Sequence, residues 1–247
     1  MIQTYTARFV SKEELASEIF LFRFRLENGQ TVQYKAGQYL ILMVPQADGQ
    51  MVRRLYSILT PPNQSDYFEM VIEILPNGVA SQYLMKLKES DEVIFQGPAG
   101  VFTLRESTRN KVYLATGTGI APIKSMIEVQ CRTSGTKIPT HLFWGVATLK
   151  DVYFLKELKE LTTVFDNLTV YICLSRETSL EIIPEPDRKY FLQGRVTRGF
   201  EELILKQNLH LQPTDYYVCG GRNVVESLRQ YLYEKEIPRE SVHFEKF

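Results

Sequence analysis

The feature of this 247-residue sequence that most constrains its fold is a single change of pattern near Glu106–Asn110. Before it, short β-branched or aromatic runs follow one another: Tyr5–Val10, Ile19–Leu26, Tyr39–Val44, Tyr56–Thr60, Phe68–Leu75 and Glu92–Gln96. Turn signals divide them at Asn28-Gly29, Asp48-Gly49, Pro61-Pro62-Asn63 and Pro76-Asn77-Gly78. Many short strands at this spacing predict a small antiparallel β-barrel. One helix interrupts them, Gln82–Lys88, led in by Gly78-Val79-Ala80-Ser81 with Ser81 as its capping-type residue. Gly97-Pro98-Ala99-Gly100 reads as a turn that closes the barrel.

After the change, strands alternate with helices. Val112–Ala115, Thr140–Gly145, Leu168–Leu174, Tyr216–Cys219 and Ser241–Phe247 read as strands. Ile123–Arg132, Lys150–Leu161, Gly199–Lys206 and Asn223–Lys235 read as helices. This alternation predicts an α/β unit built on a doubly wound parallel sheet. Two domains follow, residues 1–107 and 108–247, each long enough to bury its own core.

Composition works by exclusion. Lys plus Arg and Asp plus Glu are both 29, so net charge gives no reason to expect nucleic acid or an anionic membrane as a bulk partner. Cys131, Cys173 and Cys219 are too few and too far apart for zinc pairs or a four-cysteine iron–sulfur cluster. No metal is expected, and a reducing cytoplasm suits three unpaired thiols. Met1 to Val10 lacks the apolar core of a signal peptide, and no run of about eighteen apolar residues predicts a membrane span.

Five stretches carry candidate chemistry. In Arg54-Leu55-Tyr56-Ser57, read at a strand end, alternation puts Arg54 and Tyr56 on one face and Leu55 and Ser57 on the other. A guanidinium for phosphate beside a flat ring is what a flavin nucleotide needs, although Arg and Tyr on an exposed strand are common. Gly78-Val79-Ala80-Ser81 opens a helix whose free amides suit an anion as well as they suit a simple cap. Thr116-Gly117-Thr118-Gly119-Ile120-Ala121-Pro122 follows the first strand of the α/β unit, where ligands bind in open parallel sheets. It is a partial dinucleotide fingerprint, with Pro122 replacing the third glycine at a position suited to a first helical turn. Ser175-Arg176, with Lys189 downstream, offers a hydroxyl and guanidinium where NAD-binding sheets usually carry an acid, which suits a 2′-phosphate. Glu177 follows directly, so a solvated charge pair competes with that reading. Cys219-Gly220-Gly221-Arg222 ends another strand; a cysteine there is more often a small buried residue than a nucleophile, while the glycines admit something flat or bulky.

Taken in order, Arg-Leu-Tyr-Ser, Gly-Val-Ala-Ser, Gly-Pro-x-Gly, Gly-Thr-Gly-Ile-Ala-Pro, Ser-Arg-Glu, Cys-Gly and a final aromatic two residues after Glu245 resemble the ferredoxin–NADP(+) reductase family. The resemblance runs from Gly37 to Phe247. It implies FAD, with FMN as the alternative, and NADPH in preference to NADH. Arg54 would contact the flavin nucleotide's phosphates, Tyr56 would stack on the flavin, and Ser57 would lie near flavin N5. Gly78, Val79, Ala80 and Ser81 would hold the pyrophosphate. Gly117, Thr118, Gly119, Pro122 and Gly220 would line the nicotinamide and pyrophosphate side. Ser175, Arg176, Lys189 and Phe191 match positions that bind the 2′-phosphate adenosine. Cys219 and Glu245 would flank the nicotinamide, and Phe247 would cover the flavin face that receives hydride. Ser57, Cys219, Glu245 and Phe247 are therefore the implied catalytic set.

The chain departs from the family pattern in three places. Its final aromatic lacks a phenol hydroxyl; Glu73 and Ala147 stand where many oxygenase-type relatives carry basic residues; and Pro45–Val52 is the one candidate loop for clamping an FAD adenine. The implied activity is hydride transfer from NADPH to flavin N5, then single-electron transfer to a separate ferredoxin or flavodoxin. Lys12, Arg23, Arg25, Lys35, Lys86 and Lys88 would offer such an acidic partner basic residues. Rival readings are a reductase component of an oxygenase complex, an NAD(P)H:flavin reductase, and a nucleotide-binding regulatory module.

Overall fold

The computed structural model describes residues 2–27, 29–62, 66–133, 138–206, 208 and 212–247; the predicted turns at Asn28 and Asn63 fall on positions outside this set. The chain divides into two compact units, Met1–Leu104 with Lys124–Gln130, and Arg105–Ile123 with Cys131–Phe247.

The first unit is a six-stranded antiparallel sheet: β1 (Gln3–Ala16), β2 (Ile19–Leu26), β3 (Tyr39–Pro45), β4 (Met51–Ser57), β5 (Tyr67–Glu73) and β6 (Glu92–Ala99). The order is β4-β3-β6-β1-β2-β5. A main-chain hydrogen bond from Leu59 N–H to Glu69 O, 2.9 Å, links the segment after β4 to β5 and helps close the barrel. Period-two alternation turns Tyr5, Ala7 and Phe9 of β1 inward. They join a core centred on Phe24, Phe68 and Phe95, whose rings meet at centroid distances of 5.0–5.4 Å.

Three local expectations change here. Arg54–Ser57 forms the second half of β4, and Ile58–Thr60 lies outside the strand. Helix α1 (Val79–Lys86) begins three residues early, because extended Gly78 is its N-cap; Ser81 lies inside the first turn and its hydroxyl accepts the Leu75 N–H at 2.9 Å. Gly97–Ala99 is not a turn but the end of β6, with Gly97 opposite Gln3 and Ala99 opposite Tyr39.

The second unit is a parallel sheet of β7 (Asn110–Thr116), β8 (Thr140–Val146), β9 (Leu168–Leu174), β10 (Phe191–Gln193), β11 (Thr214–Gly220) and β12 (Val242–Lys246). The order is β10-β9-β8-β7-β11-β12, so the direction of winding switches between β7 and β11. All seven residues of β11 are buried, so its sequence shows no in–out alternation, with Tyr216–Cys219 forming an unbroken apolar run after Thr214 and Asp215. The helices are α2 (Ile120–Thr133), α3 (Leu155–Val164), α4 (Glu185–Arg188), α5 (Val196–Phe200) and α6 (Arg222–Glu234). Phe200 of α5 and Val225, Leu228 and Leu232 of α6 pack in one core with Val112, Phe143 and Val218.

The helix predicted over Lys150–Leu161 is split. A single turn at Leu149–Asp151 is capped by Thr148 and Asp151, and Phe154 then takes a left-handed φ of 62°, so α3 starts only at Leu155. The helix predicted over Gly199–Lys206 starts at Val196 and widens into a π-type turn at Glu201–Leu205. No helix of the described residues is long and apolar enough to cross a membrane.

Candidate functional site

In the second unit, parallel register brings the predicted motifs to the carboxyl edge of one sheet. Thr116 pairs with Gly145, Gly145 with Cys173, Cys219 with Ala115 and Glu245, and Gly220 with Lys246. The winding switch between β7 and β11 falls at the Gly117 turn and the Cys219-Gly220-Gly221 segment, the crevice position for a ligand in such sheets.

The glycines there do different jobs. Gly117 has a φ of +53°, and a Cβ on it would meet nothing within 4 Å, so it needs glycine for its backbone and faces open space. Gly220 has a φ of +153°, and a Cβ would come within 2.0 Å of Thr116 Oγ1. A Cβ on Gly119 would come within 2.4 Å of the Cys219 carbonyl oxygen, so this glycine lets the β11 end pass close to the turn. Thr116 Oγ1 is a buried hydroxyl oxygen with no hydrogen-bond partner among the described residues. Pro122 sits in the first turn of α2, where its missing N–H costs no helical bond. A cleft of glycines and a helix start with open backbone fits a dinucleotide.

At the β9 end, the Ser175 hydroxyl donates to Val146 O at 3.2 Å. Arg176 is exposed and has no carboxylate partner among the described residues. The charge pair with Glu177 does not form: the Glu177 carboxylate accepts the Leu149 N–H at 2.9 Å. Lys189 is not brought to this edge. It precedes β10, with its ammonium over the Tyr190 ring at 5.1 Å. Phe191 is buried within the sheet and offers no open ring face. In place of Lys189, Arg195 arrives. Gln193 pairs with Leu174 and the Gly194 N–H bonds Leu174 O at 2.9 Å, so the register carries Arg195 level with Arg176. Arg195 is exposed and also has no acidic partner among the described residues. Sequence reasoning missed it because β10, three residues long, was not recognised as a strand; Gly194-Arg195 directly after an apolar triplet was the available signal.

Cys219 is fully buried, and burial, with the Glu245 carboxylate nearby, pushes its thiol well up. It is therefore a neutral thiol and not a nucleophile. Phe247 is 56% exposed, while its backbone is held at both ends: its N–H donates to Gly220 O at 3.3 Å and its carbonyl accepts the Arg222 N–H at 3.0 Å. Lys246 pairs with Glu226.

In the first unit, Arg54 and Tyr56 lie on β4 opposite buried Leu42 and Leu40. Tyr56 is half-buried against the barrel core, and burial pushes its phenol up to about 12 despite the Arg54 charge. Arg53 and Arg54 are exposed with no carboxylate partner among the described residues, and Leu55 is 54% exposed. Gly78 is required at the α1 N-cap, where a Cβ would come within 2.8 Å of Ser81 Oγ; Val79, Ala80 and Ser81 form the first turn. Ser81 Oγ already accepts one bond but keeps its hydrogen to donate. An unpaired guanidinium, a ring backed by the core and a glycine-started helix fit a flavin nucleotide. Ser57 ends β4 opposite Tyr39.

Two expectations in this unit are trimmed by geometry. Pro45–Val52 is the tip of the β3–β4 hairpin, closed by Gln46 N–H to Gln50 O at 2.8 Å and Gly49 N–H to Gln46 O at 3.0 Å. Among the basic residues, Arg23 is committed to Glu13 and Glu69, Arg25 to Asp66, and Lys12 to the Met85 carbonyl.

The comparisons agree with this division of labour. Residues 6–104 match the oxidoreductase FAD-binding domain family and residues 113–230 the oxidoreductase NAD-binding domain family. Ferredoxin--NADP reductase B of Sorangium cellulosum is 28% identical over 252 residues, covering 100% of both chains. The toluate 1,2-dioxygenase electron transfer component of Pseudomonas putida is 29% identical over 244 residues, covering 98% of this chain and 67% of that protein. In fold, the chain is similar to the cytochrome P450 reductase of Amycolatopsis, with a TM-score of 0.85 at 23% identity over 100% of this chain and 70% of that one. With an FAD-binding barrel followed by an NAD-binding parallel sheet, this oxidoreductase belongs to the ferredoxin–NADP reductase family.

Proposed function

We propose that this enzyme takes a hydride from NADPH and delivers electrons singly to a small redox protein of the ferredoxin or flavodoxin type. The observation that carries this reading is the similarity to a ferredoxin--NADP reductase, 28% identical over 252 residues and spanning both the FAD-binding and the NAD-binding domain. The FAD-bearing domain spans residues 1–107 and the nucleotide-bearing domain residues 108–247. When bound, the flavin supplies the exchange between two-electron and one-electron chemistry.

The chain's residues supply position and electrostatics. Arg54 binds phosphate with its unpaired guanidinium, and Tyr56 gives a flat surface already backed by the core. Amides of Val79, Ala80 and Ser81, with the free hydroxyl hydrogen of Ser81, hold a pyrophosphate. Leu55 covers the nucleotide with its exposed side chain, and Ser57 places a hydroxyl near the reacting edge of the flavin. Gly117, Thr118, Gly119, Pro122 and Gly220 seat the nicotinamide half of the dinucleotide. Cys219, kept neutral, and Glu245 border the nicotinamide, and Phe247 occupies its stacking place until it binds. Because the backbone on both sides of that ring is hydrogen-bonded, Phe247 gates by rotating its side chain.

NADPH preference rests on Ser175 and Arg176, with Lys189 more remote and Arg195 added by the register. Two exposed guanidiniums without acidic partners among the described residues, beside one hydroxyl, suit a dianion such as a 2′-phosphate. For the partner protein, Lys35, Lys86 and Lys88 are the three of the six candidate basic residues that have no acidic partner among the described residues. A reducing cytoplasm suits three buried cysteines that form no disulfide.

Anaerobic titration with NADPH and, separately, NADH, followed by flavin absorbance, tests the reading. Bleaching at far lower NADPH than NADH is expected. Equal bleaching would keep the reductase and remove the NADPH preference; a protein that binds no flavin would overturn both. A second reading, reductase component of an oxygenase, draws on the toluate dioxygenase component's equal identity and would be marked by a stable oxygenase partner on purification.

A further inference from the structure

We propose that Trp144 and Tyr153 are positioning residues for the pyridine dinucleotide: together they hold the Gly117 carbonyl so that the Thr118 amide faces the ligand. This rests on the reading that the dinucleotide lies over the carboxyl edge of the parallel sheet.

Trp144 Nε1 donates to Gly117 O at 3.0 Å, and the Tyr153 hydroxyl donates to the same oxygen at 3.1 Å. The Ile120 N–H reaches it as well. The two side chains come from different elements. Trp144 belongs to β8, level with Ala115 of β7, and is fully buried; Tyr153 follows the turn at Leu149–Asp151 and is buried beside it. Their rings meet edge to face with centroids 4.8 Å apart, so each fixes the other. A buried indole N–H and a buried phenol each need an acceptor, but nothing requires both to choose one carbonyl. They converge on the first peptide of the glycine turn.

The consequence follows from peptide geometry. A trans peptide is planar, and its N–H points opposite to its C=O. Anchoring Gly117 O toward the sheet interior therefore aims the Thr118 N–H away from Trp144 and Tyr153. That N–H has no acceptor among the described residues. Gly117 beside it has open space where a side chain would stand. An amide pre-aimed at open space serves an oxygen acceptor on the ligand, and holding it there beforehand removes an ordering cost on binding.

The clamp also reaches the other end of the site. The turn that delivers Tyr153 is closed by reciprocal Thr148–Asp151 bonds, and its Leu149 N–H is held by Glu177, the neighbour of Arg176. Tyr153 and Arg176 are thus set by one connected network.

The test uses the flavin-loaded protein and calorimetric titration of NADP+ and NAD+, each beside its adenosine fragment, 2′,5′-ADP or AMP. Tyr153→Phe keeps the ring and removes its donor, while Trp144→Phe removes the indole donor and leaves a smaller aromatic ring. A net hydrogen bond corresponds to about a 2- to 12-fold change in Kd, and the double variant should lose more than either. The fragments, which lack the nicotinamide half that this proposal seats at the turn, should bind all variants alike. Trp144 is the chain's one tryptophan, so its emission should shift when the dinucleotide binds to wild type and shift less in Tyr153→Phe. Unchanged dinucleotide affinity in Tyr153→Phe and the double variant would overturn the proposal, as would an equal loss for the fragments, which signals general loosening. If wild type binds neither dinucleotide, the functional reading fails and takes the clamp with it.

Discussion

The two edges of the parallel sheet are equally rich in polar groups, and they use them in opposite ways. At the amino edge, Lys111 is 1% exposed and binds Asp215 at 2.6 Å, while Ser107 donates to the same carboxylate at 2.7 Å. Arg109 lies 2.7 Å from the other carboxylate oxygen and donates to Thr214 O and Ser241 Oγ, both at 2.9 Å. At the carboxyl edge, Arg176 and Arg195 have no acid among the described residues, Thr116 Oγ1 has no partner, and the Thr118 amide is open. The lesson is that charge does not mark a site. What differs is how the charges are paired: at the amino edge they are committed to one another, even though Arg109 Nε and His243 Nε2 lack a hydrogen-bond partner among the described residues, whereas the guanidiniums of the carboxyl edge have no acid among those residues.

The largest test of this contrast is at the amino edge. Asp215→Ala leaves Lys111 buried without its counter-charge and should cost about 3–5 kcal/mol of stability, read by urea unfolding. Lys111→Met should cost less, because Asp215 keeps Arg109 and Ser107. The acid limb should report the same cluster. Burial raises the Asp215 carboxyl, but the bonds from Lys111 and Ser107, then the charges of Lys111 and Arg109, outweigh it and hold the group below its ordinary value. A carboxyl depressed in the fold stabilises above its unfolded pKa, so this contribution should be present above about pH 4 and fade as pH falls through the folded value. Asp215→Asn should flatten that limb. Asp215→Ala unfolding as wild type does would remove the claim that this edge is structural.

Two glycines give the next contrast. Gly220→Ala must fit a Cβ within 2.0 Å of Thr116 Oγ1 at a left-handed φ and should lose about 2–4 kcal/mol. Gly117→Ala meets only the left-handed backbone penalty, about 1–2 kcal/mol, because its Cβ points into open space. In that variant nucleotide affinity should fall while the fold survives. Equal melting temperatures for both would mean the turn is not open as described.

How far the sequence foretold this depends on the kind of signal. The two-unit fold was legible because β1 alternates at period two, whereas Tyr216–Cys219 of β11 is an unbroken apolar run. The order of strand ends, and so the meeting of Gly117, Ser175, Cys219 and Glu245 at one edge, followed from the strand–helix alternation. Arg195 and the remoteness of Lys189 were hidden, since both depend on a three-residue edge strand with almost no periodic signal. The clamp by Trp144 and Tyr153 was hidden for another reason: an indole and a phenol in apolar runs look like core, and only tertiary register shows that they share an acceptor. Phe154 in a left-handed conformation, which splits a predicted helix, has no local signal at all.

At the carboxyl edge the guanidiniums should matter to binding and hardly at all to folding. Arg176→Gln and Arg195→Gln, both exposed and unpaired, should shift stability by less than about 0.5 kcal/mol. On the proposed assignment each would remove a charge-assisted bond to a 2′-phosphate, so NADPH affinity should fall about 10- to 100-fold while NADH affinity holds. Parallel losses for both nucleotides would assign these side chains to the shared part of the dinucleotide instead.

The smallest expected effect is on the thiols, and it separates a site that binds from one that attacks. Cys219 lies within the carboxyl edge, yet burial and then Glu245 push its thiol well up; burial pushes Cys173, on β9 three strands away, up to about 12. A thiol raised in the fold stays protonated after its unfolded counterpart would ionise, so its stabilising effect is complete below about pH 8.5 and is lost above it. Between pH 6 and pH 8, iodoacetamide should therefore leave both cysteines of the folded protein unmodified and label them only in denaturant. Rapid labelling of Cys219 at neutral pH, slowed by added dinucleotide, would instead make it an accessible thiolate, and the carboxyl edge would then contain a nucleophile as well as a cradle.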